Sequence, residues 1–167
     1  MGPKSNIITD TLRLRLIQFA RTFMTDYAYA EDVVQDVQLK LLSSNSALDN
    51  VDNIEAFLFR MVRNRCLDLI KVKRNKFTLL ENNMDCEDRD LMHLIESKEM
   101  SQVAVTLMEE LPEKQRMVIY LNDVEQMNSD EISDILNMDP KTIRVNLSRA
   151  RKQIRERLKI ICAYGTA

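Results

Sequence analysis

A chain of 167 residues with 45% hydrophobic content can bury one medium core or two small ones. Two glycines and three prolines are too few for a turn-rich β-sandwich, so the composition predicts an all-α fold. The formal net charge of −2 hides a segregation of charge, because residues 55–76 and 139–159 are basic whereas residues 26–36 and 81–99 are acidic.

The first half of the chain predicts three amphipathic helices. Apolar residues recur at helical spacing from Asp10 to about Met24, from near Tyr29 to Ser43, and from Ile54 to about Lys73. Three helices of this length can close a compact bundle. The predicted buried stripe of the second helix is Ala30, Val33, Val34, Val37 and Leu41. That of the third helix is Leu58, Met61, Val62, Cys66 and Leu69.

A linker is predicted next, because the periodicity fades over residues 75–92 while acidic residues accumulate. Helicity resumes by Ser97, and Pro112 is well placed to open a further helix that runs to about Asn122. We therefore expect two small helical domains joined by a linker. The predicted bounds are 1–75 for the first domain, 76–98 for the linker and 99–167 for the second domain.

The last third of the chain predicts a helix-turn-helix. Asn128 or Ser129 caps a short helix that ends near Leu136, and Glu131 completes a capping-box arrangement. Asn137 can adopt the left-handed conformation that closes a helix, and Asp139 followed by proline begins the next helix. The predicted apolar face of this last helix is Ile143, Leu147, Ala150, Ile154 and Leu158.

The other faces of the last helix are basic and polar. Such a face is often only solvated and salt-bridged. Here Asp139 and Glu156 are the only acidic residues between positions 139 and 159, so internal pairing cannot absorb the positive charge, and contact with duplex DNA is favoured. The predicted DNA-facing residues are Lys141, Thr142, Arg144, Val145, Asn146, Arg149 and Lys152.

The third and second helices carry two further candidate surfaces. The third presents a basic stripe flanked by Phe57 and Phe59, an arrangement typical of single-stranded nucleic acid binding, although a single phenylalanine at such a position more often belongs to the core. This stripe is Arg60, Arg63, Asn64, Lys71 and Arg74.

The second helix exposes an acidic face. From the residues alone, this face can either bind a protein partner or simply be solvated. This face is Glu31, Asp32, Gln35 and Asp36.

Other classes of function lack the residues they need. Three cysteines without metal-ligand spacing and a single histidine give no zinc site, and no metal or other cofactor is expected. No nucleophile, base and acid cluster or glycine-rich phosphate loop can be assembled, so we expect no catalytic residues and no enzyme. No apolar run approaches a membrane span and no signal peptide opens the chain, so we expect a cytoplasmic protein without membrane insertion.

Four segments in order resemble the extracytoplasmic function (ECF) sigma factors, the members of the bacterial sigma-70 family that keep only regions two and four. They are residues 30–37 (AEDVVQDV), 57–68 (FLFRMVRNRCLD), 111–116 (LPEKQR) and 142–151 (TIRVNLSRAR). The sequence departs from the family pattern at two places. Asn137 stands where the family commonly has glycine, and Val145 with Asn146 replaces a commoner polar and basic pair. The resemblance therefore implies no promoter sequence.

The resemblance implies a role for each surface. The acidic face would dock on the β′ clamp of core RNA polymerase, with the β flap as a second contact. Phe57 and the basic stripe would contact the minus-ten element, where residues 44–53 with Asn64 would capture a flipped base. The last helix, with Ser148 and with Arg116 from the start of region four, would read the minus-thirty-five element. An anti-sigma factor is a further implied partner.

Two other interpretations compete with a sigma factor. A stand-alone helix-turn-helix transcriptional regulator would bind specific DNA tightly without polymerase. A helical adaptor or anti-sigma-type regulator would use only the acidic faces and would show no salt-dependent affinity for DNA.

Overall fold

All regular structure in the described part of the chain is helical, as the composition predicts. The computed structural model describes residues 8–24, 26–43, 48, 51–77 and 100–164, so most of the predicted linker lies outside it. The first unit comprises α1 (Asp10–Arg21), α2 (Tyr27–Ser43) and α3 (Ile54–Phe77). The second comprises α4 (Met100–Glu109), α5 (Glu113–Ile119), α6 (Ser129–Leu136) and α7 (Pro140–Tyr164). The predicted all-α fold of two helical units is confirmed.

Helices α1, α2 and α3 pack against one another through their apolar stripes. Every residue of the stripe predicted for α2 is buried, and in α3 Met61 and Leu69 lie partly buried beside the core. Helix α1 ends at Arg21 rather than near Met24, because the Thr22 hydroxyl donates to the carbonyl oxygen of Phe19 at 2.7 Å and closes the last turn. Side-chain caps therefore set this boundary more sharply than the apolar periodicity does.

The second unit departs from prediction after α5. The helix expected to run to about Asn122 changes at Tyr120–Val124 into a π-helical turn. Gln126 then takes a positive φ of 57°, and the side-chain amide of Asn122 donates to the carbonyl oxygen of Met127 at 3.2 Å. A π turn inserts an extra residue and rotates the side chains that follow it. Helix α7 packs against α4, α5 and α6.

The two units share one hydrophobic core. Phe19 of α1 is fully buried, and its ring centroid lies 5.1 Å from that of Phe59 in α3 and 5.9 Å from that of Tyr120 in the π turn. Helix α6 packs on α3, and Ile132 and Ile135 belong to the same buried cluster as the residues of the three-helix bundle. The second unit is therefore packed directly on the first.

The capping box of α6 gives a direct test of this local structure. The Asn128 side chain accepts hydrogen bonds from the backbone amides of Asp130 and Glu131, each at 3.0 Å. Asn128→Ala removes this acceptor and is expected to destabilise the chain by about 1 kcal/mol. The measurement is the urea unfolding midpoint followed by circular dichroism. Ser129→Ala, at the exposed first helical position, is the control; an equal midpoint for the two variants would contradict the capping role.

Candidate nucleic-acid interface

The turn between α6 and α7 is held by hydrogen bonds at both ends. The Asn128 and Glu131 capping box that the sequence predicts is present. Asn137 ends α6 in the left-handed conformation, with φ 51° and ψ 49°, and Ser133 Oγ donates to the carbonyl oxygen of Met138 at 2.6 Å. Asp139 Oδ1 accepts from the Thr142 backbone amide at 2.9 Å and so caps α7. This helix-turn-helix fixes which side of α7 faces outward.

The outward side of α7 is cationic and largely free of intramolecular pairing. Arg144, Val145 and Arg149 are exposed, and within the described residues neither arginine has an ion-pair partner. Lys152 lies 3.9 Å from Glu156, a distance at which an exposed pair contributes little. Lys141 and Ser148 are also exposed. These side chains are therefore available to a ligand.

Thr142 and Asn146 are less available than the sequence suggests. Thr142 is partly buried, and its hydroxyl donates to Asp139 Oδ2. The amide of Asn146 donates to the Thr142 carbonyl oxygen at 2.9 Å along the same helix. Contact of either side chain with DNA would require it to exchange this bond, so the unengaged Arg144 is the stronger candidate for base contact.

Arg116 has a structural role in the second unit. Its Nη1 donates to the Glu109 carbonyl oxygen at 2.9 Å, which ties α5 to the end of α4. Its Nε is buried with no hydrogen-bond partner among the described residues, and this desolvation lowers the pKa of the guanidinium. Its assignment as a DNA contact stays a prediction.

On α3, the stripe predicted for the minus-ten element is partly exposed. Arg60, Asn64 and Lys71 are exposed, whereas Arg63 is partly buried and donates to Asn64 Oδ1 at 3.1 Å. Phe57 is partly buried, with the Arg60 guanidinium carbon 5.5 Å from its ring centroid. The side chain of Arg74 and most of residues 44–53 lie outside the described part of the chain.

Phe59 is not a stacking platform. The sequence allows this ring to flank the stripe or to join the core, and it is fully buried against Phe19. Because successive helical residues are about 100° apart, Phe57 and Phe59 lie about 200° apart around α3 and cannot both border the same narrow stripe. Phe59 belongs to the bundle core.

The acidic face of α2 is partly engaged within the chain. Glu31 accepts from Arg13 at 2.6 Å, and Asp36 accepts from Arg65 at 2.7 Å, which gives Arg65 a role that the sequence does not reveal. Asp32 and Gln35 are exposed. Two neighbours on the same face were not predicted from the sequence: Leu39 and Leu42, one and two turns beyond Gln35, are 65% and 53% exposed.

Two other properties bear on the kind of site. Within the described ranges, no group of three or more His, Cys, Asp or Glu residues is placed to hold a metal ion. None of the helices described is both long and apolar enough to cross a membrane.

Comparison with known proteins follows the two halves of the chain. The family described as Sigma-70 region 2 matches residues 9–76, and that described as Sigma-70, region 4 matches residues 101–154. The ECF RNA polymerase sigma factor SigW of Bacillus subtilis (strain 168) is 23% identical over 163 residues, with 91% of this chain and 87% of SigW covered. RNA polymerase sigma factor SigV of the same organism is 24% identical over 84% of this chain and 82% of SigV.

Solved structures agree in fold. The sigma factor RpoE in complex with the anti-sigma factor NepR, from Bartonella quintana, superposes with a TM-score of 0.71 at 21% identity, over 90% of this chain and 93% of RpoE. CnrH in complex with the cytosolic domain of CnrY superposes with a TM-score of 0.57 at 25% identity, over 88% of this chain and 82% of CnrH. The chain belongs to the ECF sigma factors of the sigma-70 family.

The N-terminal cap of α7 predicts a pH dependence of stability. Hydrogen bonds from Thr142, first from its hydroxyl and then from its backbone amide, lower the pKa of Asp139. A lowered carboxyl pKa stabilises the fold above the unfolded value of about 3.9, and this contribution is lost as the pH falls through the folded pKa. Asp139→Asn keeps a capping oxygen but removes the charge. We therefore expect this variant to lose less thermal stability than wild type when the pH falls from about 5 to about 2.5, a range that brackets the unfolded pKa of Asp. The measurement is the melting temperature across this range, and parallel curves for the two proteins would contradict the prediction.

Proposed function

We propose that this sigma factor binds core RNA polymerase through α2, opens the minus-ten region of promoters with α3, and recognises the minus-thirty-five element as duplex with α7. The chain would position and melt DNA through binding energy and would carry out no catalysis itself. Since core polymerase and the chromosome occupy the bacterial cytoplasm, the chain would act there. An anti-sigma factor is a further proposed partner, supported by the relatives RpoE and CnrH, whose structures contain NepR and CnrY.

The observation that carries this proposal is the cationic face of α7 on a fixed turn. A helix-turn-helix places the first turns of its second helix in the major groove. Arg144 lies in the second turn of α7, exposed and without an ion-pair partner in the described part of the chain. A guanidinium in that position can donate two hydrogen bonds to guanine, whereas Arg149, five residues further on, is proposed to pair with the phosphate backbone.

The proposed docking surface of α2 combines charge with apolar area. Asp32 and Gln35 are exposed beside Leu39 and Leu42. Burial of apolar area is a favourable term in most protein association, and charges around it set partner choice and orientation. We include both leucines in the surface proposed to contact polymerase.

Run-off transcription with purified core polymerase on genomic fragments tests the proposal. The expected result is initiation at defined sites that depends on the added chain. Tight, specific binding of promoter-sized DNA by the chain alone, with no effect on core polymerase, would contradict it and would indicate a stand-alone regulator.

Arg144→Ala is expected to weaken recognition of the minus-thirty-five element by about 1–3 kcal/mol, because one bidentate base contact is lost. The measurement is the run-off yield at limiting sigma concentration. Lys159→Ala removes the same charge from an exposed position of α7 about 22 Å further along the helix, and should leave the yield unchanged. An equal loss in both variants would mean that the charge of α7, and not a base contact, matters.

Asp32→Lys tests docking without disturbing the fold, since Asp32 is exposed and takes part in no ion pair among the described residues, unlike Asp36. We expect its affinity for core polymerase to fall about tenfold or more, which corresponds to at least about 1.4 kcal/mol. The measurement is a fluorescence titration of core polymerase with labelled chain. Asp134→Lys, at an exposed acidic position of α6, is the matched control. Unchanged affinity of the Asp32 variant would show that α2 is not the docking surface.

A further inference from the structure

One cation of α7 is bound by the π turn that precedes α6. The Arg151 guanidinium donates from Nε to Asp123 Oδ2 at 3.1 Å and from Nη2 to Asp123 Oδ1. Its Nη2 also donates to the side-chain oxygen of Asn122 at 3.0 Å. The two contacts with Asp123 form the planar, two-point pair that gives arginine its directional specificity. A guanidinium bound in this way cannot turn without breaking hydrogen bonds.

The two acceptor residues are themselves held in place. Asn122 and Asp123 both belong to the π turn. The Asn122 side-chain amide donates to the carbonyl oxygen of Met127 at 3.2 Å, and the Gln126 side-chain amide donates to the carbonyl oxygen of Asp123 at 2.7 Å. Met127 directly precedes Asn128, the N-cap of α6. The segment that binds the guanidinium therefore leads straight into the first helix of the helix-turn-helix.

Arg151 lies on the same stripe of α7 as Arg144. The two residues are seven positions apart, which on an α-helix is about 10 Å along the axis and only about 20° around it. A residue fixed at position 151 therefore fixes the rotation of α7 about its own axis at Arg144. A rotation of about 20° would move groups at the helix surface, about 5–6 Å from the axis, by about 2 Å. That displacement is enough to lose a base contact, because a hydrogen bond spans only about 2.7–3.2 Å.

The pair is suited to set the angle of α7 and contributes little to the stability of the fold. The side chains of Arg151 and Asp123 are 47% and 36% exposed, and exposed ion pairs contribute little. Helix α7 is attached to its neighbours by buried apolar residues, among them Ile143 and Ala150. Apolar burial is non-directional, whereas the hydrogen bonds of a guanidinium are directional.

We propose that Arg151 is a positioning residue for recognition of the minus-thirty-five element: bound by Asp123 and Asn122, it sets the rotation of α7 so that Arg144 meets the base edges, and it does not itself contact DNA. This inference rests on the proposed function. By its charge and its place on α7 alone, Arg151 would count as a further phosphate contact. The inference also gives the acidic Asp123 a favourable role in DNA binding, which is the opposite of what its charge alone suggests.

Asp123→Ala tests the inference by the sign of its effect. Reconstituted holoenzyme is titrated, by fluorescence, with the promoter that run-off transcription identifies and with the same fragment carrying a replaced minus-thirty-five element. We expect Asp123→Ala and Arg151→Ala each to weaken binding to the intact promoter about fivefold or more, the cost of one misplaced bidentate base contact. Affinity for the replaced fragment should be unchanged, whereas a variant that merely unfolds would lose affinity for both fragments.

Three further variants sharpen the test. Because Asp123 and Arg151 act as one unit, the double variant should bind the intact promoter no more weakly than either single variant. Arg151→Lys keeps the charge but loses the planar fork, so it should behave like Arg151→Ala. Asp134→Ala removes an exposed carboxylate of α6 and is the matched control, which should discriminate between the two fragments as wild type does.

Stronger promoter binding by Asp123→Ala would overturn the inference, because it would mean that the released Arg151 pairs with phosphate. Wild-type affinity of Arg151→Lys would overturn it for the same reason. If wild type prefers the intact promoter and all the variants keep the same preference, the inference alone is refuted. Absence of initiation by wild type at any site would refute the proposed function and this inference with it.

Discussion

Phe19 is the residue on which the arrangement of the whole molecule depends. Its fully buried ring contacts Phe23 of its own segment, Phe59 of α3 and Tyr120 of the second unit. Burial of one phenylalanine contributes about 1.5–3 kcal/mol, and edge-on or tilted ring pairs add to this. One side chain therefore stabilises both the three-helix bundle and the attachment of the helix-turn-helix to it, so the internal stability of the first unit is coupled to the position of the second.

Charged side chains are distributed unevenly over the molecule. The chain as a whole is not cationic, because its formal net charge is −2. Positive charge is instead concentrated on the outward face of α7, whose orientation is fixed by the turn after α6. Arginines nearer the interior have partners instead: Arg15 pairs with Glu55 and Glu125, Arg65 with Asp36. On α7 itself, Arg151 pairs with Asp123, whereas Arg144 and Arg149 are exposed without an ion-pair partner among the described residues, which leaves them available to the proposed DNA ligand.

Sequence patterns predicted the structural features that depend on residues close together along the chain. The stripe of α2, the capping box at Asn128 and the left-handed Asn137 follow from 3.6-residue periodicity and cap chemistry, and all are present. The pairing of Glu125 with Arg15 was not predictable, because it joins residues 110 positions apart, and the helical pattern through Asn122 gave no sign of the π turn at Tyr120–Val124. For the same reason periodicity could not decide whether Phe59 faces DNA or the core. Exposure of Leu39 and Leu42 was hidden because leucine at helical spacing usually indicates burial.

A single chain that contacts two promoter elements must reach much further on DNA than it does when packed. The most direct measurement is photocrosslinking from a photoreactive amino acid placed at Lys71 of α3 or at Ser148 of α7, in holoenzyme bound to one promoter. The account predicts crosslinks from the two positions about 25 base pairs apart, or about 85 Å along the duplex, with those from Ser148 upstream. Crosslinks from both positions to the same stretch of DNA, or none from Ser148, would contradict it.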